Sequence, residues 1–325
     1  MNAALRQRLP QLVTAVIFLL LFAAAGWRYR DENFASAPNV ANLFIGNASL
    51  GIIAVGMTLV IFAGGIDLSV GAVAGFTNIL VAILVEQHGV NPLLAIGLGL
   101  AIGTAFGAAM GAIIHFFKQP AFLVTLAGMF FARGCAYWIS TDSIDLKDAF
   151  FQRLADYAVK VGGATVHPLP AYLFLAVFAL GYLLAQHTRF GRNLLAIGGN
   201  EQSAMLMGLP VGATKIVVYA LCGACAALAG LVSTVITGGD STYGIGLELD
   251  AIAAVVIGGT LLTGGRGHLL GTLCGLLIIG TIQSAITFDG TLSSWWTRII
   301  TGALLLAFIL FQRVLLHFTQ RRWAS

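Results

Sequence analysis

The sequence predicts an all-α integral membrane protein, a bundle of about ten transmembrane helices, and its composition is the first reason. Hydrophobic residues make up 58% of the 325 residues and charged residues only 9%, against about 25% in an ordinary soluble domain. With a mean hydropathy of +0.92, so few charges cannot cover a soluble globule of this size. A soluble enzyme, a nucleic-acid-binding protein and a disordered scaffold are therefore excluded.

Ten apolar segments are the second reason, because a membrane-spanning helix needs about 20 mostly apolar residues. In chain order the segments are 11–27, 43–63, 68–85, 92–117, 121–140, 169–186, 216–237, 249–264, 268–288 and 294–312. Most joins between them are only a few residues long, and the long loops are 141–168 and 187–215. We expect a single transmembrane domain over residues 1–325.

The first segment has a second interpretation. Arg6 and Arg8, the apolar run and the three alanines 23–25 also resemble a cleaved signal peptide. The apolar run continues from Leu12 to Trp27, which is slightly long for a signal core and favours a retained helix. Cleavage would leave nine spans in the same orientation, so the loop charges do not decide between the two.

Glycines predict how several of the following segments meet. In the fourth they recur every four residues, a spacing that lets helix backbones approach closely in lipid: Gly99, Gly103, Gly107 and Gly111. Two double glycines mark span junctions and are followed by further glycines at equal spacing: Gly64-Gly65 with Gly71 and Gly75, and Gly264-Gly265 with Gly271 and Gly275. This hints at an internal repeat, as in many transporters, although the two turns do not pair under a five-plus-five arrangement.

Loop charges orient the segments, because loops rich in Lys and Arg stay cytoplasmic. With the N-terminus inside, ten of the 17 basic residues are cytoplasmic, five are outside and two lie in or beside spans. The cytoplasmic ten are Arg6, Arg8, Lys118, Arg189, Arg192, Lys215, Arg266, Arg313, Arg321 and Arg322. Eleven of the 13 acidic residues fall outside, so both termini are predicted to be cytoplasmic.

Polar and ionisable side chains within the spans are functional candidates, because burying charge in a membrane is costly. Together with one phenylalanine they form the predicted set for a translocation path or its gate: Asn47, Asp67, Asn78, Phe131, Arg133, Glu248 and Asp250. Three of them have simpler alternatives. Asp67 can cap the helix that starts near Leu68, Arg133 can extend to the membrane interface, and Phe131 can face lipid or another helix.

Several chemical motifs are absent from the sequence. It contains no G-x-x-x-x-G-K-[ST] phosphate loop, no H-E-x-x-H motif and no paired-cysteine metal site. We therefore expect no catalysis, no cofactor and no metal on this chain. The mild polar groups of the spans suit an uncharged, hydroxylated solute. A stand-alone ion-coupled carrier is the alternative, but it would need a cluster of acids or histidines within the spans.

The loop 187–215 is the most informative segment outside the spans. It has a Gly198-Gly199 turn, a short helical stretch at 200–207 and a Gly208-Leu209-Pro210 stop, with basic residues on both sides. This pattern is typical of a docking element for a cytoplasmic partner, and an ordinary connecting loop is the alternative. The candidate coupling residues are Arg189, Arg192, Gly198, Gly199, Asn200, Glu201, Ala204 and Gly208.

Five longer motifs, three of them in this loop, carry a resemblance. They are Thr188-Arg-Phe-Gly-Arg192, Ala196-Ile-Gly-Gly-Asn200, Ala204-x-x-x-Gly208, the run from Gly56 to Gly71 and the run from Glu248 to Gly259. The chain resembles the permease subunits of sugar ABC importers of the ribose/xylose/galactose class over nearly its whole length. Two stretches look closest to the galactofuranose importer permease: Ala121 to Phe131 and Phe288 to Arg298.

The resemblance implies a permease subunit, without an ATPase site of its own, in a bacterial inner membrane. The implied solute is a monosaccharide, galactofuranose or a related pentose or hexose. The implied partners are a cytoplasmic ATPase that holds ATP and Mg, a periplasmic sugar-binding protein and a second permease copy or paralogue, but no nucleic acid. Four acids of the outer loop are candidates for docking the binding protein: Asp142, Asp145, Asp148 and Asp156. Disruptive replacement of Gly199 or Glu201 is expected to reduce transport.

Overall fold

The computed structural model describes the backbone of residues 3–293 and 295–321, with side chains within 12–293 and 295–308 and at 310. The side chains of five basic residues used for the predicted orientation lie outside the described part: Arg6, Arg8, Arg313, Arg321 and Arg322. The helices are α1 (Ala3–Arg28), α2 (Ala37–Gly46), α3 (Ala48–Phe62), α4 (Val70–Glu86), α5 (Pro92–Phe116), α6 (Ala121–Ile139), α7 (Ala149–Ala155), α8 (Leu169–His187), α9 (Arg189–Gly199), α10 (Glu201–Leu206), α11 (Val211–Thr237), α12 (Leu247–Ile257), α13 (Leu269–Asp289) and α14 (Trp295–Arg321).

Five of these helices are long and apolar enough to cross a membrane: α5, α6, α8, α11 and α13. α2 and α3 together make a sixth such span, with a bend of 54° between them. α1, α4 and α14 contribute shorter apolar stretches: Leu12–Arg28, Val70–Glu86 and Trp295–Phe308. The chain is therefore a helical, polytopic membrane protein, as the composition predicts. The count of ten spans and the side on which the termini lie stay predictions.

α3 forms the centre of the bundle. Every residue of this helix except Ser49 is buried, as expected for a helix that is apolar on all sides. It lies against α8, α11, α12 and α13. Gly51 faces the ring of Phe174 in α8, and Gly56 faces the main chain of Cys222 in α11. Small residues therefore bring the surrounding helices close to α3.

The glycine row of α5 packs as its spacing predicts. All four glycines are buried. A Cβ at Gly103 would lie 3.0 Å from the carbonyl oxygen of Gly223 in α11, and one at Gly111 would lie 2.9 Å from the Cα of Ile216. The row therefore packs against α11 at its last three glycines, whereas Gly99 faces side chains of α4, and the predicted close packing is confirmed.

The second predicted span is bent rather than straight. α2 ends and α3 begins at Asn47, whose backbone leaves the helical conformation. The Asn47 side-chain amide donates to the carbonyl of Leu43 at 2.8 Å, one helical turn back. It also lies against Gly280 of α13, which has no side chain to displace it. A buried side-chain hydrogen bond of this kind offers the backbone an alternative partner and accompanies helix bends.

The eighth predicted span, 249–264, is wrong as a continuous helix. α12 has 11 residues, a rise of about 16 Å, which is about half of a bilayer core. Before it, residues 238–246, which we name the unwound segment, run along α4 without helical structure. The contacts follow the segment down α4: Gly239 lies beside Ala82, Tyr243 beside Gly75 and Gly244 beside Gly71.

Glycine conformation is the physical reason for this interruption. Gly238, Gly244 and Gly246 in the unwound segment all have positive φ, as does Gly259, two residues after the end of α12. A positive φ ends an α-helix, and glycine adopts it without steric cost. Apolar composition could not show this, because glycine also suits tight helix packing. A discontinuous span of this kind is a recurring feature of transporters.

The long loop after α6 is structured. Residues 140–166, which we name the ledge, contain α7 and a hairpin of β1 (Val159–Val161) and β2 (Ala164–Val166). The two strands are antiparallel with Val159 opposite Val166, and Gly162 and Gly163 form their two-residue turn. Both turn glycines have positive φ, the requirement of the turn type that best fits a tight hairpin.

Candidate functional site

α4 defines the two ends of the molecule. Its first turn follows residues 63–69, which meet α9 through Gly64 and Gly198. At its last residue, Glu86 accepts hydrogen bonds from the backbone N–H groups of Lys147 and Asp148 in the ledge, at 2.5 and 2.7 Å. The α9–α10 surface and the ledge therefore lie at opposite ends of the same helix.

Asn78, a predicted path residue on α4, forms hydrogen bonds with the first residues of the unwound segment. Its amide nitrogen donates to the carbonyl of Gly238 at 3.0 Å, and its amide oxygen accepts from the N–H of Asp240 at 2.5 Å. Asn78 is fully buried. Because an extended chain inside a membrane lacks helical partners, a side chain that serves both a donor and an acceptor replaces them.

Arg133, on α6, donates hydrogen bonds to residues further along the unwound segment. One guanidinium nitrogen donates to the carbonyl oxygens of Ser241 and Tyr243, at 2.6 and 2.7 Å. Gly75 on α4 leaves the space that the guanidinium occupies, because a Cβ there would lie 2.6 Å from the same nitrogen. The alternative in which Arg133 extends to the membrane interface does not fit this geometry, since its donors face the unwound segment.

Glu248 and Asp250 lie in the first turn of α12, where carboxylates are favoured by the helix dipole. Glu248 packs over Gly71 and interacts electrostatically with Arg133. Asp250 instead interacts with Arg298 of α14. The structure therefore places Arg133 and Glu248 together, and Asp250 beside an arginine that the sequence analysis left out of its candidates.

The opposite side of this region faces away from the bundle. Thr242, Ile245 and Leu249 are exposed, at intervals of three and four residues. Arg298 lies beside Gly246 in the same region, with its guanidinium carbon 5.6 Å from the centroid of the exposed ring of Trp295. In the sequence, Arg298 could have been recognised as a candidate because it lies one turn into an otherwise apolar segment.

Asp67 lies in the turn between α3 and α4 and is 1% exposed. One carboxylate oxygen accepts from the backbone N–H and the hydroxyl of Ser69, at 2.9 and 2.6 Å. This is the geometry of a cap just before α4. The other carboxylate oxygen has no hydrogen-bond partner within the part of the chain that the structure describes.

Phe131 lies apart from these groups. It stacks on Phe106 with ring centroids 6.2 Å apart and lines an open apolar groove of about 400 Å³ between α5 and α6. Asn47 is also separate, at the bend between α2 and α3. The seven predicted path residues therefore fall into a cluster around the unwound segment and three isolated positions, Asn47, Asp67 and Phe131.

The predicted coupling loop forms two short helices, α9 and α10. The Thr188 hydroxyl caps α9 by accepting from the N–H of Gly191 at 3.3 Å. Asn200 caps α10 in the same way through Ser203, at 2.8 Å. Glu201 forms an ion pair of 2.7 Å with Lys215 at the start of α11. Four other predicted coupling residues are exposed, namely Arg189, Arg192, Gly199 and Gly208, whereas Ala204 is buried.

Three large apolar side chains at the end of α10 are exposed. They are Met205, Leu206 and Met207, which we name the apolar tip, and Leu206 is 89% exposed. The side of α10 that faces the protein packs through Ala204, with Ile197 and Val211. The tip was not among the predicted coupling residues, although three successive apolar residues in a loop between spans could have indicated it.

Four glycines bring three chain segments together beneath α9. They are Gly64, Gly198, Gly264 and Gly265, which we name the glycine junction. The N–H of Gly265 donates to the carbonyl of Phe62 at 3.1 Å. A Cβ on Gly198 would overlap that carbonyl oxygen and lie 2.6 Å from the nitrogen of Gly265. A Cβ on Gly264 would lie 2.7 Å from the Cα of Gly64. The two double-glycine turns therefore touch each other and the end of α9.

These features define a class of membrane protein. It has a helical bundle, a discontinuous span with polar clamps and an exposed surface of short helices at one end. A membrane transport subunit combines such features. The chain belongs to the family described as branched-chain amino acid transport system / permease component, whose profile matches residues 39–309. It is thus a permease of the ABC importer type, and its curated relatives are sugar permeases.

Three relatives illustrate the family. The inner membrane ABC transporter permease protein YjfF of Escherichia coli K12 is 47% identical over 325 residues, covering 99% of this chain and 97% of that protein. The fructose import permease protein FruG of Bifidobacterium longum is 38% identical, with 96% and 92% covered. The ribose import permease protein RbsC of Bacillus subtilis is 40% identical, with 87% of each covered. No solved structure matches the chain.

Together the relatives and the apolar helices identify a multi-pass inner-membrane permease of a sugar ABC importer. The predicted class is confirmed. FruG and RbsC are named for different sugars and YjfF for none, so the family does not fix the solute.

Proposed function

We propose that this subunit forms the path by which a monosaccharide crosses the inner membrane, driven by a partner ATPase. Galactofuranose is the first candidate solute, followed by related pentoses and hexoses, because of the stretches 121–131 and 288–298. No ATP or Mg would bind this chain, and two permease copies or paralogues would enclose the path. The sugar-binding partner would dock at the ledge, and residues 1–325 would act as one transmembrane domain.

The apolar tip is the observation that carries the ATPase partnership. An exposed Met-Leu-Met sequence at the end of a capped, ion-paired helix is unfavourable in water and is suited to burial in a groove of another protein. The helix is fastened to the bundle through Ala204 and the Glu201–Lys215 pair, so force applied to the tip reaches the membrane helices. Arg189 and Arg192 would flank that contact.

The unwound segment and its neighbours support the location of the path. Non-helical backbone at membrane depth is tolerated only where it is buried in protein or lines a water-filled cavity. One side of the segment is clamped by Asn78 and Arg133, while Thr242 is exposed on the other side. Arg298 lies beside Gly246 at the end of the segment and interacts with Asp250. Hydroxyl, carboxylate and guanidinium groups on that side suit the hydroxyl groups of a sugar.

Reconstitution of the purified importer into liposomes tests the proposal. The permease, the ATPase and the binding protein would be combined with a panel of labelled sugars: galactofuranose, ribose, fructose and L-arabinose. We expect uptake to require all three components, with ATP supplied on the side of the membrane where the ATPase lies. Uptake by the permease alone in an ion gradient would instead establish the carrier alternative.

Leu206→Asp tests the role of the tip. A carboxylate in place of an exposed leucine leaves the membrane bundle intact but opposes burial at an apolar interface. We expect the ATPase to be lost from the purified complex. Gln202→Asp, on the exposed side of the same helix, is the control that adds a charge without removing an apolar anchor. Equal retention of the ATPase by both variants would contradict the assignment.

A further inference from the structure

The ledge is fastened rigidly to the end of α4. Glu86 accepts from two successive backbone N–H groups of the ledge, and the side-chain amide of Gln152 donates to the carbonyl of Leu146 at 2.6 Å. Phe151 of α7 is 2% exposed and packs in a cluster with Val85 and Leu231 of the bundle. Because these contacts are buried or made to the backbone, the ledge is a firm platform rather than a mobile loop.

One backbone pair joins this platform to the unwound segment. The N–H of Ile144 donates to the carbonyl of Gly239, and the N–H of Gly239 donates to the carbonyl of Ile144, each at 2.8 Å. This is the hydrogen-bonded pair of an antiparallel ladder. The Ile144 side chain adds packing beside Ile79 of α4. The ledge thus grips the unwound segment at its first residues.

The other end of the unwound segment lies deep in the bundle. Tyr243 is held through its carbonyl by Arg133, and its hydroxyl reaches Ser49 of α3 and Ser233 of α11. Residues 240–242, between this anchor and the Ile144 pair, form a hydrogen-bonded turn: the N–H of Tyr243 donates to the carbonyl of Asp240 at 3.1 Å, and the N–H of Thr242 donates to the Asp240 carboxylate at 2.8 Å. A turn that is hydrogen-bonded internally and fixed at both ends moves with its anchors, whereas a loose loop would absorb the movement.

The outward surface of the ledge suits a soluble partner protein. Trp138, immediately before the ledge, is 88% exposed, and Tyr157 is about half exposed. The ledge also carries exposed charges of both signs: Asp142, Asp145 and Asp156, with Lys147, Arg153 and Lys160. Exposed Trp and Tyr side chains are typical anchors of protein interfaces, and these charges suit a soluble partner with complementary charges of both signs.

From these contacts we infer that the ledge receives the sugar-binding partner and passes its docking to the unwound segment through the Ile144–Gly239 pair. The inference rests on the proposed function. Ledge and unwound segment move as one body, so that docking repositions the exposed Thr242 side of the path. Ile144 and Gly239 are positioning residues and touch no sugar.

Breaking the pair is the first arm of the test. Ile144→Pro removes the N–H that donates to Gly239. Ser143→Pro is the matched control, because Ser143 is exposed and the N–H of the preceding residue in an extended chain points to the opposite side. The reconstituted complex is assayed for basal ATPase activity, for binding-protein-stimulated ATPase activity and for binding-protein affinity. We expect Ile144→Pro to lower the stimulation about fivefold or more, a typical coupling between sites, with basal activity and affinity unchanged.

Locking the pair is the second arm. A Cβ at Gly239 would lie 3.4 Å from the Cβ of Ile144, close to disulfide geometry, but it would overlap Ala82. Ile144→Cys and Gly239→Cys are therefore combined with Ala82→Gly, in a Cys135→Ala background. If ledge and segment move as one body, the oxidised and reduced forms transport sugar equally well.

The outcomes separate the inference from the proposed function. Normal stimulation in Ile144→Pro, or transport that stops on oxidation and returns on reduction, would overturn the inference. A wild-type complex that imports no sugar with ATP would instead overturn the proposed function, and the inference with it.

Discussion

Replacement of Gly198 by alanine is the sharpest perturbation that the structure offers at the docking end. The added methyl group would overlap the carbonyl oxygen of Phe62 and lie 2.6 Å from the nitrogen of Gly265. Both obstacles are main chain, so a side-chain rotation cannot relieve them. The adjacent Gly199 is the natural control, because a Cβ there meets nothing within 4 Å. Neither glycine has a positive φ.

The expected magnitude follows from the geometry. Overpacking in a well-packed interior costs about 1–3 kcal/mol, and obstacles that cannot rotate away place this case near about 3 kcal/mol. The same free energy corresponds to about two orders of magnitude in an equilibrium between two positions of α9. Alanine also raises helix propensity at either position by up to about 1 kcal/mol, so the control includes that gain.

The assay compares ATP-driven sugar uptake with ATPase activity in the reconstituted complex. We expect Gly198→Ala to lower uptake by at least about tenfold at equal protein, since the glycine junction can no longer close, while Gly199→Ala stays near wild type. From the sequence alone, disruptive replacement of Gly199 was expected to reduce transport. Because the space around Gly199 is open, we expect that reduction only for side chains larger than alanine. Amounts of permease and bound ATPase are measured for both variants. Equal uptake by the two alanine variants would refute the reasoning.

Three further predictions concern the Asn78 clamp, the Asp67 cap and the Glu201–Lys215 ion pair. Asn78→Ala leaves the Gly238 carbonyl and the Asp240 N–H unpaired, and we expect a loss of about 1–3 kcal/mol in stability, measured as a lower melting temperature in detergent. Asp67→Asn keeps the oxygen that accepts from Ser69, so near-normal transport would identify Asp67 as a cap and a transport loss at normal stability would identify a role for its charge. Exchange of the Glu201–Lys215 pair, as Glu201→Lys with Lys215→Glu, should restore ATPase retention that either single variant lowers; failure of the exchange would show that the ion pair is not what fastens α10.

The sequence was sufficient for the membrane class, the places of most helices and a short helix in the loop 187–215. These features depend on composition and local periodicity, which each segment carries by itself. Thr188 and Asn200 occupy cap positions that local sequence signals already suggest. The α5 glycine row was equally readable, because its spacing matches the helix repeat.

The discontinuous span lay beyond sequence reasoning. The apolar run around α12 satisfied the length criterion, although the positive φ at Gly246 and Gly259 limits the helix to half a bilayer. The role of Arg133 was equally hidden, because a carbonyl of Ser241, 108 positions away in the chain, is its partner. Hydrogen-bond partners that lie far apart in the chain leave no local pattern in the sequence. The path candidates could therefore be named, but the sequence could not show which of them bind backbone groups and which are exposed.

The enclosure of α3 has a consequence for how the protein is made. Its main neighbour, α11, begins 149 residues after α3 ends, a delay of about 7–30 s at the usual speed of synthesis. During that interval α3 has left the ribosome but lacks the helix that will surround it. Because it is apolar on all sides, it can rest in lipid until then. A polar substitution on α3 would therefore first impair the insertion of this helix into the membrane, before any effect on sugar transport.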